Sequence, residues 1–167
     1  RSWSSQGQMK ISVLVVGRVR GPLEAAVQEF EMRAAHYWKL DVVEIESGAG
    51  RGDRRDARFV RSSEGRRLLD RIPDGSDVWA LTRGGAGTSS SAFAKALGAK
   101  ALEGSPGVTF LVGGAYGLDP EVLGRADSNL SLSKMTLPHE LARLVLAEQL
   151  YRAGTILRSE PYHKGDS

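Results

Sequence analysis

The chain of 167 residues contains no cysteine. That absence excludes a disulfide framework, a thiolate nucleophile and a Cys-based zinc site, and it suits a reducing cytoplasm, the expected location. No apolar run approaches the roughly 18 residues that a membrane span requires, and Arg1 to Gln8 lacks the apolar stretch of a signal peptide. This segment reads as an extension before Met9. Histidine is scarce, and His36, His139 and His163 do not have the i, i+4 spacing of a helical metal pair, so no metal is expected. Two glycine motifs are incomplete. Gly17-Arg18-Val19-Arg20-Gly21 lacks the G-x-G-x-x-G spacing of a dinucleotide fold, and Gly84-Gly85-Ala86-Gly87-Thr88-Ser89 has no lysine before its hydroxyl residues, so it is not a phosphate-binding P-loop. No internal repeat or linker is visible.

A hydrophobic fraction of 41% over this length suits one sizeable core, so residues 9–167 read as a single domain. The formal charge of +3 favours a polyanionic partner without demanding one. Ile11 to Val16 is an apolar, β-branched run suited to a strand buried on both faces. From Pro22 to Tyr37 the period changes, with Leu23, Val27, Phe30, Ala34 and Tyr37 on one helical stripe. Further strands are expected at Leu40–Ile45, Val78–Leu81, Val108–Val112 and Ser128–Leu132. Helices are expected at Arg58–Leu69, broken or frayed near Gly65, and at Ser91–Leu102, Leu118–Arg125 and Pro138–Leu157. Alternation of strand and helix predicts an α/β fold with a mostly parallel sheet and helices on both faces.

The last helix is apolar around well over half of its circumference, through Leu141, Leu144, Val145, Leu146, Leu150, Tyr151, Ala153, Ile156 and Leu157. Either it is a central core helix or it meets a second copy of the chain. Gly113-Gly114-Ala115-Tyr116-Gly117 follows a strand at the end where open α/β sheets place ligand crevices, although an ordinary turn has the same composition. Ser131 to His139 is too short for a helix and too polar for a buried strand. It is either a site-forming loop or a connector in which Thr136 or a neighbour caps the helix that Pro138 starts. Glu148 and Arg152 stand at ion-pair spacing. Arg51, Arg54, Arg55, Arg58, Arg61, Arg66 and Arg67 form a basic cluster suited to phosphate contacts or to a solvated face.

Four stretches in this order, Phe110 to Leu118, Leu130 to His139, Glu148 to Ala153 and Pro161 to Lys164, together resemble the RlmH family of ribosomal RNA pseudouridine N3-methyltransferases, of the SPOUT class. The likeness is strong from Val78 to Lys164 and stays in register from Met9 to Glu46. It departs at Thr82-Arg83-Gly84-Gly85-Ala86, where relatives carry an acidic residue soon followed by Gly-Lys, and it is poor over the Arg51–Arg67 cluster.

The resemblance implies a C-terminal trefoil knot, a homodimer packed through it, and S-adenosyl-L-methionine held by Leu81, Gly113 and the loop Leu132, Ser133, Lys134, Met135, Thr136 and Leu137. It implies methyl transfer to N3 of a pseudouridine in large-subunit (23S) ribosomal RNA, in assembled ribosomes. Because N3 carries an imide proton, a base is useful. His163 is the expected proton acceptor, with Tyr162 contacting the base, Arg152 stabilising charge on the ring oxygens, and His139 and Glu148 as second choices. Two other readings stay open: a SPOUT-fold RNA-binding protein without catalysis, and a SPOUT methyltransferase acting on a different ribosomal or transfer RNA base.

Overall fold

The computed structural model describes residues 8–48 and 56–163; the side chain of His163 lies outside that description. Five strands, β1 (Lys10–Val16), β2 (Lys39–Ile45), β3 (Asp77–Gly87), β4 (Val108–Val112) and β5 (Ser128–Ser131), form one sheet in the order β2-β1-β4-β3-β5. Every pairing is parallel. The helices are α1 (Glu24–Ala34), α2 (Ala57–Asp70), α3 (Ser90–Leu102), α4 (Pro120–Arg125) and α5 (His139–Leu157), with 3-10 turns at Gly21–Leu23 and Pro161–His163.

Alternation along β1 divides the core between the two faces of the sheet. Ile11, Val13 and Val15 pack with Ala34 of α1, Phe93 and Leu97 of α3, and Leu146 and Leu150 of α5. Leu14 and Val16 pack with Leu68 of α2 and Val122 of α4. The expectation of helices on both faces holds, and each fully buried Leu or Phe in these layers contributes about 1.5–3 kcal/mol. Trp38 is wholly buried and its indole N–H donates to the Leu150 carbonyl at 2.9 Å, fastening the end of α1 to α5. Since α5 lies against both α1 and α3, much of its broad apolar surface is covered within the chain.

Two boundaries differ from the sequence reading for identifiable reasons. Helix α2 runs unbroken through Gly65, because glycine is what the packing demands: a Cβ there would stand 2.9 Å from Val122 Cγ2 and 3.0 Å from Asp119 Cβ. Strand β3 continues past Leu81 to Gly87, with its register to β5 interrupted between Leu81 and Ala86. That interruption is a bulge at the C-terminal rim of the sheet, and such irregularities re-aim side chains beside functional sites.

Candidate functional site

Parallel strands deliver their following loops to one rim, and three of those loops hold the residues singled out for the cofactor. Leu81 is paired with Val112 of β4, so Gly113 begins its turn one residue beyond that pair. Leu81 is also paired with Leu130 of β5, from which the chain runs into the 132–137 loop. Leu81, Thr82, Arg83, Leu132, Ser133, Met135, Thr136, Leu137 and Ala142 line a cleft of about 110 Å³. Of the expected cofactor contacts, Lys134 is exposed and Gly113 stands on the neighbouring turn; the others form the wall itself.

Side chains fix this loop where no regular structure does. The Ser131 hydroxyl lies 3.1 Å from the Arg83 carbonyl and 2.9 Å from the Ser133 carbonyl, joining the β3 bulge to the loop. The Met135 N–H donates to the Ser133 hydroxyl at 2.9 Å, and Arg83 Nη1 donates to the Thr136 hydroxyl at 2.8 Å. Thr136 therefore does not cap α5, whose N-cap is Pro138 without a side-chain bond. Arg83, which falls in the segment departing from the family pattern, is a contact that sequence reasoning missed.

The cleft combines apolar walls with polar backbone. Leu81, Leu132, Leu137, Met135 and Ala142 offer apolar contact, while backbone groups of 132–137 beyond those named make no hydrogen bond among the described residues and are free for a ligand edge. The glycine turn is tight as well: a Cβ on Gly113 would meet the Gly117 carbonyl carbon at 2.9 Å. At about 110 Å³ the cleft is far smaller than the roughly 300 Å³ of an enclosing ligand pocket, so a ligand seated here needs further cover. A second cleft shares Leu132 and continues past Phe93 and Val145 to Gln149.

Gln149 opens onto a polar cluster on α5. It accepts from the Ser90 hydroxyl at 2.7 Å and donates to Glu148 at 2.8 Å. Arg152 Nη2 stands 2.6 Å from Glu148 Oε1, the ion pair that the spacing predicted, and the Tyr162 hydroxyl donates to the same oxygen at 3.1 Å. The Arg152 guanidinium lies 5.0 Å from the centre of the Tyr162 ring, and Tyr162 packs edge-on against Tyr151 at 4.6 Å. Burial, then the charge and hydrogen bond of Glu148, push the Tyr162 phenol above its ordinary pKa.

The tail reaches this cluster by a reversal at Ser159, whose φ is 56°. Glu160 N–H closes the turn on the Thr155 carbonyl at 2.9 Å, and Tyr37 donates to the Glu160 carboxylate at 2.6 Å. His139 belongs to neither group: its Nε2 lies 3.3 Å from where a Cβ of Gly17 would be, at the end of β1. Arg152 follows His139 along α5 by about 20 Å. Within one chain the expected donor loop meets α5 at Ala142, whereas Arg152 lies about 15 Å further along the helix, and the second cleft runs between them from Leu132 to Gln149. Among the described residues no group of acidic, His or Cys side chains is arranged to hold a metal ion. The cluster at Arg51–Arg55 lies outside the described residues, whereas Arg58, Arg61, Arg66 and Arg67 lie on α2.

A parallel sheet with a glycine turn and a cleft at one rim is a setting that many α/β enzymes share, and residues 9–163 match the model of the family described as predicted SPOUT methyltransferases. The chain belongs to that family. Within it, the chain groups with proteins named ribosomal RNA large subunit methyltransferase H: it is 48% identical to that of Gemmatimonas aurantiaca and 47% identical to that of Syntrophotalea carbinolica, covering 93% of this chain in each case and 100% and 99% of those proteins. A solved probable methylase family protein from Haemophilus influenzae aligns over 94% of this chain and 70% of its own at 13% identity, with a TM-score of 0.47.

Proposed function

We propose that this protein uses S-adenosyl-L-methionine to methylate large-subunit (23S) ribosomal RNA, at N3 of a pseudouridine, in assembled ribosomes in the cytoplasm. The observation that carries the reading is the convergence of Leu81, the β3 bulge and the 132–137 loop on one cleft with apolar walls and free backbone groups. Similarity over nearly the whole length to proteins named for methylation of that RNA supports it.

When bound, the donor supplies a methyl group on a sulfonium, a cation that needs no metal to be activated. The chain's residues supply position and charge. The cleft holds the donor and excludes water from one side of it. Arg152, already fixed by Glu148, faces the negative charge that develops on the pyrimidine oxygens as the N3 proton leaves. Tyr162 donates to the base, and His163 takes the proton, its reference pKa of about 6.5 being suited to the task.

Because the cleft beside the 132–137 loop is too small to enclose a ligand by itself, the complete site is built from two protomers, the Arg152–Tyr162 face of one covering the donor loop of the other. The trefoil knot implied for this family is the threading that would hold the loops at that interface.

Mass spectrometry of nucleosides after incubation with unmodified ribosomes, free subunits and transfer RNA tests the substrate. N3-methylpseudouridine in large-subunit RNA is the expected product; a methylated transfer RNA or a different base would replace this reading. His163→Ala is expected to lower the single-turnover rate on ribosomes, and a wild-type rate would remove His163 as the proton acceptor.

A further inference from the structure

The segment that leaves β1, Gly17-Arg18-Val19-Arg20, has no part in the cleft just described, yet it emerges at the same rim of the sheet. Arg18 and Arg20 line two adjoining grooves. One, of about 770 Å³, also takes in Gly17, Ser47 and Arg71; the other, of about 480 Å³, takes in Gln28 and Arg143. Arg143 is neutralised by Glu31 and by Glu44, at 2.8 and 2.9 Å, so Glu44 is engaged as well. Arg18, Arg20 and Arg71 are exposed, and their side chains make no hydrogen bond or ion pair among the described residues. Glu24 and Glu46 are the acidic side chains that remain on these walls.

We infer that this trench seats the phosphodiester backbone of the RNA strand flanking the target nucleotide. Three unpaired guanidinium forks around an elongated polar groove match phosphate oxygens, which accept paired hydrogen bonds from such forks. Contacts of that kind fix a strand's position without reading its sequence. The trench also leads to the site. Gly17 on its wall has a φ of 87°, and a Cβ there would stand 3.3 Å from Nε2 of His139, the residue that opens α5 directly after the donor loop. A strand lying along Arg18, Arg20 and Arg71 is therefore delivered to the edge of that loop. The inference rests on the proposed activity toward RNA.

The test is the triple variant Arg18→Ala, Arg20→Ala, Arg71→Ala, compared with the triple Arg→Lys variant. With ribosomes as substrate, KM should rise about tenfold or more while kcat stays within about twofold, donor affinity is unchanged, and the lysine variant, which keeps the charge but not the fork, recovers only part of the loss. Binding of the free protein to a short single-stranded RNA, titrated with salt, should lose about 2 units of log–log slope, the share of three phosphates. An unchanged KM and an unchanged slope would overturn the inference. If the triple variant does not fold, Arg71→Ala alone should remove about 0.7 of the slope, and no change would count equally against it. Should the wild-type protein methylate no ribosomal RNA, the functional reading fails; the slope measured on free RNA still decides the trench by itself.

Discussion

The two ends of α5 are held by different forces. At the His139 end, the preceding loop is exposed and is tied by a few hydroxyl and guanidinium bonds, while Arg143 clamps the first turns to Glu31 of α1 and Glu44 of β2. At the Leu157 end, rings do the holding: Tyr151 packs on Phe30, Tyr37 and Tyr162, and Arg33 and Arg158 lie over aromatic faces. Polar bonds open to water are readily exchanged, which leaves that loop able to adjust. Interlocked rings leave little freedom, which holds the side chains around them in one arrangement. The contrast separates a part of the molecule that adapts from a part that is preorganised.

The largest expected effect falls on the rigid end. Arg152→Ala should lower the single-turnover rate on ribosomes by about 10²–10³ with little change in donor affinity, and equal losses in both would mean that Arg152 serves the fold rather than the reaction. Next comes the clamp. Arg143→Met leaves two carboxylates without their cation, and because the Arg143 side chain is 10% exposed the chain should lose about 3 kcal/mol in urea unfolding; a loss under about 1 kcal/mol would show that the ion pairs merely coexist with packing. A smaller loss, about 2 kcal/mol, is expected for Gly154→Ala, since the added Cβ would stand 2.6 Å from Tyr37 Cβ, inside contact distance of that buried side chain.

The adaptable end should respond differently. Thr136→Val removes the acceptor for Arg83 and should weaken donor binding by about 1 kcal/mol while leaving the melting temperature within about 2 °C; a large drop in stability would erase the distinction between the ends. The smallest effect concerns Tyr37, whose phenol is pushed up to about 12 by burial and by the hydrogen bond and charge of Glu160. A raised folded-state pKa means that this stabilisation is complete below pH 10, the ordinary value, and is lost as pH rises through 12. Tyr37→Phe should cost about 1 kcal/mol at neutral pH and flatten the fall in stability above pH 10; parallel curves for the two proteins would rule out that linkage.

Most strands and helices were legible because burial on two faces leaves continuous apolar runs and burial on one leaves a helical stripe. Ile11–Val16 and Val108–Val112 show the first pattern and α1 the second. What escaped depends on neighbours distant in sequence. Nothing local to Thr82–Gly87 reveals that β3 resumes pairing with β5, and Gly65 reads as a helix breaker until Asp119 and Val122 are brought against it. Arg143 gives no local sign that it is buried between two carboxylates. Of the candidate site, the 132–137 loop stood out through its motif, but the contact that Arg83 makes with it required the fold.

The left-handed turn at Ser159 sets a tether length. Tyr162 lies three positions beyond it, a reach of roughly 10 Å of extended backbone. Ser159 itself sits past the far end of α5, so a leash this short keeps that phenol over the C-terminal half of the helix, where it donates to Glu148. A longer tether would consequently loosen the Tyr162 phenol from Glu148 while leaving the helix itself intact.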